Sequence, residues 1–152
     1  MKHEGMVHAL EEIKRILRRE ACLIDIHPVR EAPIIEVRTT DEVLFAEPSA
    51  SYDYDDDLQH AEDALVSAVE RALFVLDGSH EFEFVTIASS VVELRDFFAV
   101  SGAYEEDPLD ETTEARVQEL YARVDEVMRA AGEKARVARR ERARVARLNP
   151  VR

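Results

Sequence analysis

One cysteine, four glycines and no tryptophan occur among the 152 residues. The single cysteine, Cys22, excludes an intramolecular disulfide and any cysteine-based zinc cage, and it suits a reducing compartment, so a cytoplasmic location is expected. The glycines, Gly5, Gly78, Gly102 and Gly132, are isolated from one another. No two stand close enough for a GxGxxG turn or a Walker-type phosphate cradle, which excludes a nucleotide loop of either kind. Long apolar runs are missing as well. The longest uncharged stretch, residues 84–92, is about half of what a membrane span needs, and Lys2, His3, Glu4, Glu11 and Glu12 put charge where an export signal would need an apolar core. No membrane association is expected.

What the chain has in abundance is charge. Its net charge of −13 repels phosphate backbones at long range, so nucleic acid is not expected as a partner. The distribution is uneven, because residues 133–152 carry eight bases and two acids, a balance of +6, leaving −19 for the other 132 residues. No aromatic is interleaved with these arginines for base stacking, so the tail reads as a basic element packed over an acidic one. At this length and with 46% hydrophobic residues, a single globular domain over residues 1–152 is expected.

Periodicity divides the chain into elements. Met6, Leu10, Ile13 and Leu17 recur at helical steps, and Cys22-Leu23-Ile24-Asp25-Ile26 reads as a short strand whose continuous apolar character predicts burial on both faces. Residues 33–47 hold two β-rich runs around a four-residue turn and predict a hairpin. A long helical stripe from Leu58 to Leu76 predicts a helix over 55–77 closed by Gly78, followed by a strand over 81–89 that is buried on both sides toward its end. Ser90 and Glu93 form a capping box before a short helix that stops at Gly102, and Val117, Leu120, Tyr121, Val124, Val127, Met128 and Ala131 mark a helix over 113–131. Residues 135–148 fit neither period cleanly.

Residues 6–26 run Met6-Val7-His8-Ala9-Leu10-Glu11-Glu12-Ile13-Lys14-Arg15-Ile16-Leu17 and then, after a turn, Cys22-Leu23-Ile24-Asp25-Ile26. This helix and strand resemble those that class I S-adenosylmethionine-dependent methyltransferases carry before and in their fifth strand. The turn departs from the family, with Arg19, Glu20 and Ala21 where it has a proline and two glycines. A side chain at a position needing positive φ costs about 1–2 kcal/mol, so a rebuilt turn is expected.

The resemblance implies an α/β, partial Rossmann-like methyltransferase fold. Its small mixed sheet would be made of the family's fifth, seventh and sixth strands, with flanking helices, an inserted hairpin at 33–47 and a basic C-terminal strand within 133–152. In the family the cofactor loop lies N-terminal to the matching helix. With Met1 five residues ahead of Met6, that half is expected to be absent, so no catalytic or cofactor-binding residue is assigned and the chain alone is expected to bind no S-adenosylmethionine.

The candidate sites are few. Asp25 and His27 stand at the carboxyl end of a strand, where open α/β sheets bind ligands and where the resemblance implies the substrate pocket; Tyr52 and Tyr54 are further candidates for lining it. The acidic run Asp53, Asp55, Asp56, Asp57 reads as helix N-terminal charge, and His60 with Glu62 and Asp63 lacks a second histidine at metal-ligand spacing, so no metal site is expected. Two functions follow as expectations. One is a methyltransferase-like half-domain, not catalytic alone, that homodimerises through residues 22–26 or the adjacent helix. The other is the substrate-side half of a split or truncated methyltransferase acting on a small molecule, with a separate chain supplying the cofactor half.

Overall fold

The computed structural model describes residues 2–51, 56–101 and 109–152. The elements run α1 (Lys2–Ile16), β1 (Leu23–Pro28), β2 (Ile34–Arg38), β3 (Val43–Pro48), α2 (Asp56–Glu70), β4 (Phe74–Ala88), α3 (Val91–Ser101), α4 (Glu111–Ala131) and β5 (Arg136–Pro150). The five strands form one open sheet in which β5 pairs with β1, β2 and β4, and β3 adds to β2. The expectation of a mixed sheet is corrected. β1 and β2 both run antiparallel to β5, and β3 runs antiparallel to β2. The ion pairs Asp77–Arg147, Glu81–Arg142 and Glu83–Arg140 ascend one strand while descending the other, so β4 is antiparallel to β5 too.

The chain divides into two compact units. The first holds α1, β1, α2, β4 through Phe82 and β5 from Arg142; the second holds β2, β3, α3, α4 and the remaining parts of β4 and β5.

In the first unit β5 lies between β1 and β4, and β1 is an edge strand. Residues of β1 register Leu23 on Leu148 through Pro28 on Ala143. Leu10 and Ile13 of α1, Leu17 just after it and Leu65 of α2 pack onto Ala68, Phe74, Ala146 and Leu148, which make this unit's core. Val7, outside the stripe read from sequence, is buried as well. Burial of β1 on both faces is corrected: exposure alternates along the strand, and Ile24 and Ile26 are 50% and 64% exposed. Apolar continuity here belongs to an edge strand whose helices cover one face, the face of Leu23.

The helix expected over 55–77 ends at Glu70. Leu73 N–H donates to the Ala68 carbonyl and Ala72 N–H to the Val69 carbonyl, with Ala72 at φ +55°, which is the full bond pattern of a Schellman stop built on alanine. Leu73 and Phe74 then turn into the core, and Gly78 lies inside β4 rather than at a helix end. Burial of the later part of β4 is also corrected, since Ile87 is 56% exposed.

In the second unit β2 and β3 form the hairpin, with a register shift at Val37 and Arg38, and β2 pairs with the first half of β5. Ile35, Val37 and Val137 from the strands meet Leu94 of α3 and Leu120 and Val124 of α4 in a closed core. Tyr121, Val127, Met128 and Ala131 of the predicted stripe pack against it. Asp110 caps α4, accepting from Thr113 N–H at 2.8 Å. Ser90 Oγ accepts from Glu93 N–H at 3.1 Å, while the Glu93 carboxylate reaches back one residue further than a capping box, to Ser89 N–H at 2.7 Å. Gly102, expected to stop α3, lies outside the described residues. The tail that fits neither period in sequence is β5, paired to β1 and β2 along its length, with its arginines Arg140, Arg142 and Arg144 meeting Glu36, Glu81 and Glu83.

Candidate functional site

Within the first unit, β1 carries Asp25 and His27 two residues apart on the strand face toward α2. Asp25 Oδ2 lies 2.5 Å from His27 Nδ1, the spacing of a carboxylate that accepts the Nδ1–H and fixes the ring. The other ring nitrogen, Nε2, is buried without a hydrogen-bond partner and stands 3.5 Å from Glu62 Oε1, beyond normal hydrogen-bond length. Glu62 arrives from α2, and the His27 side chain is 11% exposed. The result is a histidine oriented by one carboxylate and facing a second across a gap.

A cleft of about 330 Å3 opens beside this group, between α2 and the strand face formed by β4 and the end of β5. Its polar lining is His27, Glu62, Glu70, Ser79 and Arg144. Arg144 donates to Glu81 at 3.0 Å within the β4–β5 ladder, and two glutamates stand against this one arginine in the lining. Arg142 also donates to Glu81, at 2.6 Å. These two arginines hold the Glu81 carboxyl below its ordinary range, with the Arg144 hydrogen bond the largest contribution.

Of the four residues expected to face substrate, Asp25 and His27 are brought together, whereas Tyr52 and Tyr54 lie outside the described residues, as do Asp53 and Asp55 of the acidic run. Glu62 enters the sequence reading only beside His60, as part of a metal site that the spacing argues against. Its partner is His27, a contact across 35 residues that no local spacing encodes. Among the described residues no group of three or more His, Cys, Asp or Glu side chains is arranged to hold a metal ion. No described helix is long and apolar enough to cross a membrane.

The described residues do not fit S-adenosylmethionine in the manner of the family. Gly5, Gly78 and Gly132 lie in α1, in β4 and at the end of α4, so among the described residues they do not gather into a glycine-rich loop. Comparison with protein families, with curated proteins and with solved structures finds no match to this chain.

Proposed function

We propose that this chain is a methyltransferase-like half-domain that does not transfer methyl groups by itself and that functions through self-association. The observation that carries the association is the position of β1, an edge strand paired on one side to β5 with Ile24 and Ile26 exposed. An unpaired edge presents a row of free backbone donors and acceptors, and apolar side chains beside it favour recruitment of a second strand. A two-fold antiparallel pairing of β1 with its counterpart in a second copy would satisfy both. The ancestry is supported by strand order: the last strand lies between β1 and β4 and runs antiparallel to both, the arrangement that the resemblance implies for the family's fifth, seventh and sixth strands.

Light scattering of the purified chain at micromolar concentration, with calorimetric titration by S-adenosylmethionine and S-adenosylhomocysteine on the same sample, tests this reading. A dimer that binds neither compound supports it. A monomer removes the association, and micromolar cofactor binding restores an enzyme.

A second reading, the substrate-side half of a split methyltransferase, is favoured by the Asp25–His27 pair at the carboxyl end of β1. It requires a partner chain with a glycine-rich cofactor loop. Pull-down from the native source that recovers no such chain would remove it.

A further inference from the structure

The two ring nitrogens of His27 face two carboxylates that come from different elements. Asp25, on β1 itself, lies 2.5 Å from Nδ1, and Glu62, on α2, lies 3.5 Å from Nε2. A ring nitrogen and a carboxylate oxygen approach as closely as the first pair only with a hydrogen between them, whatever the charge of the ring. The variable is therefore the proton on Nε2. That atom is buried and has no hydrogen-bond partner, so what its proton can engage is the neighbouring chain, and Glu62 stands across from it.

The contact differs between the two states of the ring. Without a hydrogen on Nε2, a lone pair faces a carboxylate oxygen and the two stay 3.5 Å apart. With one, the imidazolium donates to Glu62. A charge-assisted bond of that kind is about 2.7–2.9 Å long, so β1 and α2 would close by about 0.6–0.8 Å at this point. Histidine is the side chain that ordinarily gains and loses this proton between about pH 5 and 8.

Other charged groups approach from each neighbouring element. β5 places Arg144 opposite His27 in register, with its guanidinium donating to Glu81 of β4, beside His80. Arg30, just beyond β1, donates to Gln59 on α2, and His3 of α1 meets Ser67 on α2. His60 precedes Glu62 by two residues and so lies on the far side of α2 from it. Arg144 opposes the imidazolium, while Asp25 and Glu62 are in line to accept both of its N–H groups.

His27 and Glu62 both line the cleft of about 330 Å3, and Leu65, Val66 and Val69 of α2 form one of its walls. We propose that His27 is a pH-operated latch: a proton taken from solvent onto Nε2 draws Glu62 to the ring, clasps α2 to β1 and narrows the cleft at this end, and its loss at higher pH releases that wall. The inference is independent of methyl transfer and of the oligomeric state.

The test is an NMR titration of the full chain between pH 5 and 8, followed at the His27 ring nitrogens and at the methyl groups of Leu65 and Val66. In the parent the methyl signals are expected to shift with the same midpoint as the ring. In Glu62→Ala, at a partly exposed helix position, the ring is expected to titrate with a midpoint at least about half a pH unit lower, and the methyl signals are expected to follow it no longer. His3→Gln and His60→Gln are expected to leave the methyl response in place. The proposal is overturned if the ring does not titrate in this range, if the methyl signals of the parent do not move with it, if either histidine variant abolishes their response, or if Glu62→Ala changes neither midpoint nor response.

Discussion

Arg140 Nε donates to Glu36 Oε1 at 2.7 Å, joining two residues 104 apart in sequence within the second unit. Glu36 is 3% exposed, and its other carboxylate oxygen accepts from Arg38, a neighbour on the same strand. Arg140 also reaches Glu83 on β4 at 3.2 Å. A buried acid thus sits between two arginines, one of which is shared with a second acid. Replacing Glu36 by glutamine should leave two cations short of a countercharge. Because Arg38 and Arg140 are 28% and 32% exposed, water recovers part of the loss, and the expected cost is about 1–3 kcal/mol, below that of breaking a fully buried pair. Urea unfolding of Glu36→Gln against the parent measures it.

The same carboxyl makes a pH prediction. Burial opposes its ionisation, yet the hydrogen bonds from Arg140 and Arg38 outweigh burial and hold it below the usual glutamate range. A carboxyl with a depressed folded value stabilises the fold fully above its unfolded value, roughly pH 4.3. That contribution is lost as pH falls through the folded value. The difference in unfolding midpoint between the parent and Glu36→Gln is therefore expected to be constant near neutrality and to shrink on acidification below about pH 4. A difference that grows with acid would contradict the assignment.

Ala72 closes α2 at φ +55°, a conformation that costs a residue with a Cβ about 1–2 kcal/mol. Glycine removes that strain and returns about 0.5–1 kcal/mol of it through its freer unfolded state. Ala72→Gly is expected to stabilise the chain by the remainder, on the order of 0.5–1 kcal/mol, seen as a rise of a few degrees in the thermal midpoint.

Ile26 is 64% exposed on the edge strand. A lysine there should change the stability of an isolated copy by no more than about 0.5 kcal/mol, since surface substitutions away from special features rarely do more. The expected effect lies in association: Ile26→Lys should shift the mass in solution from dimer toward monomer, because a charge on an edge strand opposes strand addition. Equal masses for parent and variant at micromolar concentration would argue against association through this edge.

The parts of the molecule legible in the sequence are those set by local spacing. The stripes Leu10–Ile13 of α1, continued by Leu17 just past its end, and Val117–Leu120–Val124 of α4 pack as their periods predict, because a helix with one apolar face has one way to bury it. Asp25 and His27 were legible as a pair for the same reason, since residues two apart on a strand share a face. The cap of α4 was not among them: the stripe placed the helix start at Thr113, whereas the helix begins at Glu111 with Asp110 accepting from Thr113 N–H.

What the sequence by itself determined is therefore the helices α1 and α4 and the hairpin, the acidic character of the chain and the absence of clustered glycines, each a property of composition or of short-range order. The tertiary structure decided the rest. Periodicity alone would carry α2 on to Asp77, but Phe74 lies in the core with Ala146 and Leu148, which goes with a helix ending at Glu70 and β4 beginning at Phe74. Continuous apolar residues in β1 cannot say how many faces will be covered; that depended on helices packing over Leu23 and leaving Ile24 and Ile26 open. The meeting of His27 with Glu62 depended on where α2 packs beside β1, and that of Glu36 with Arg140 on β2 becoming a neighbour of β5, both invisible to any window of adjacent residues.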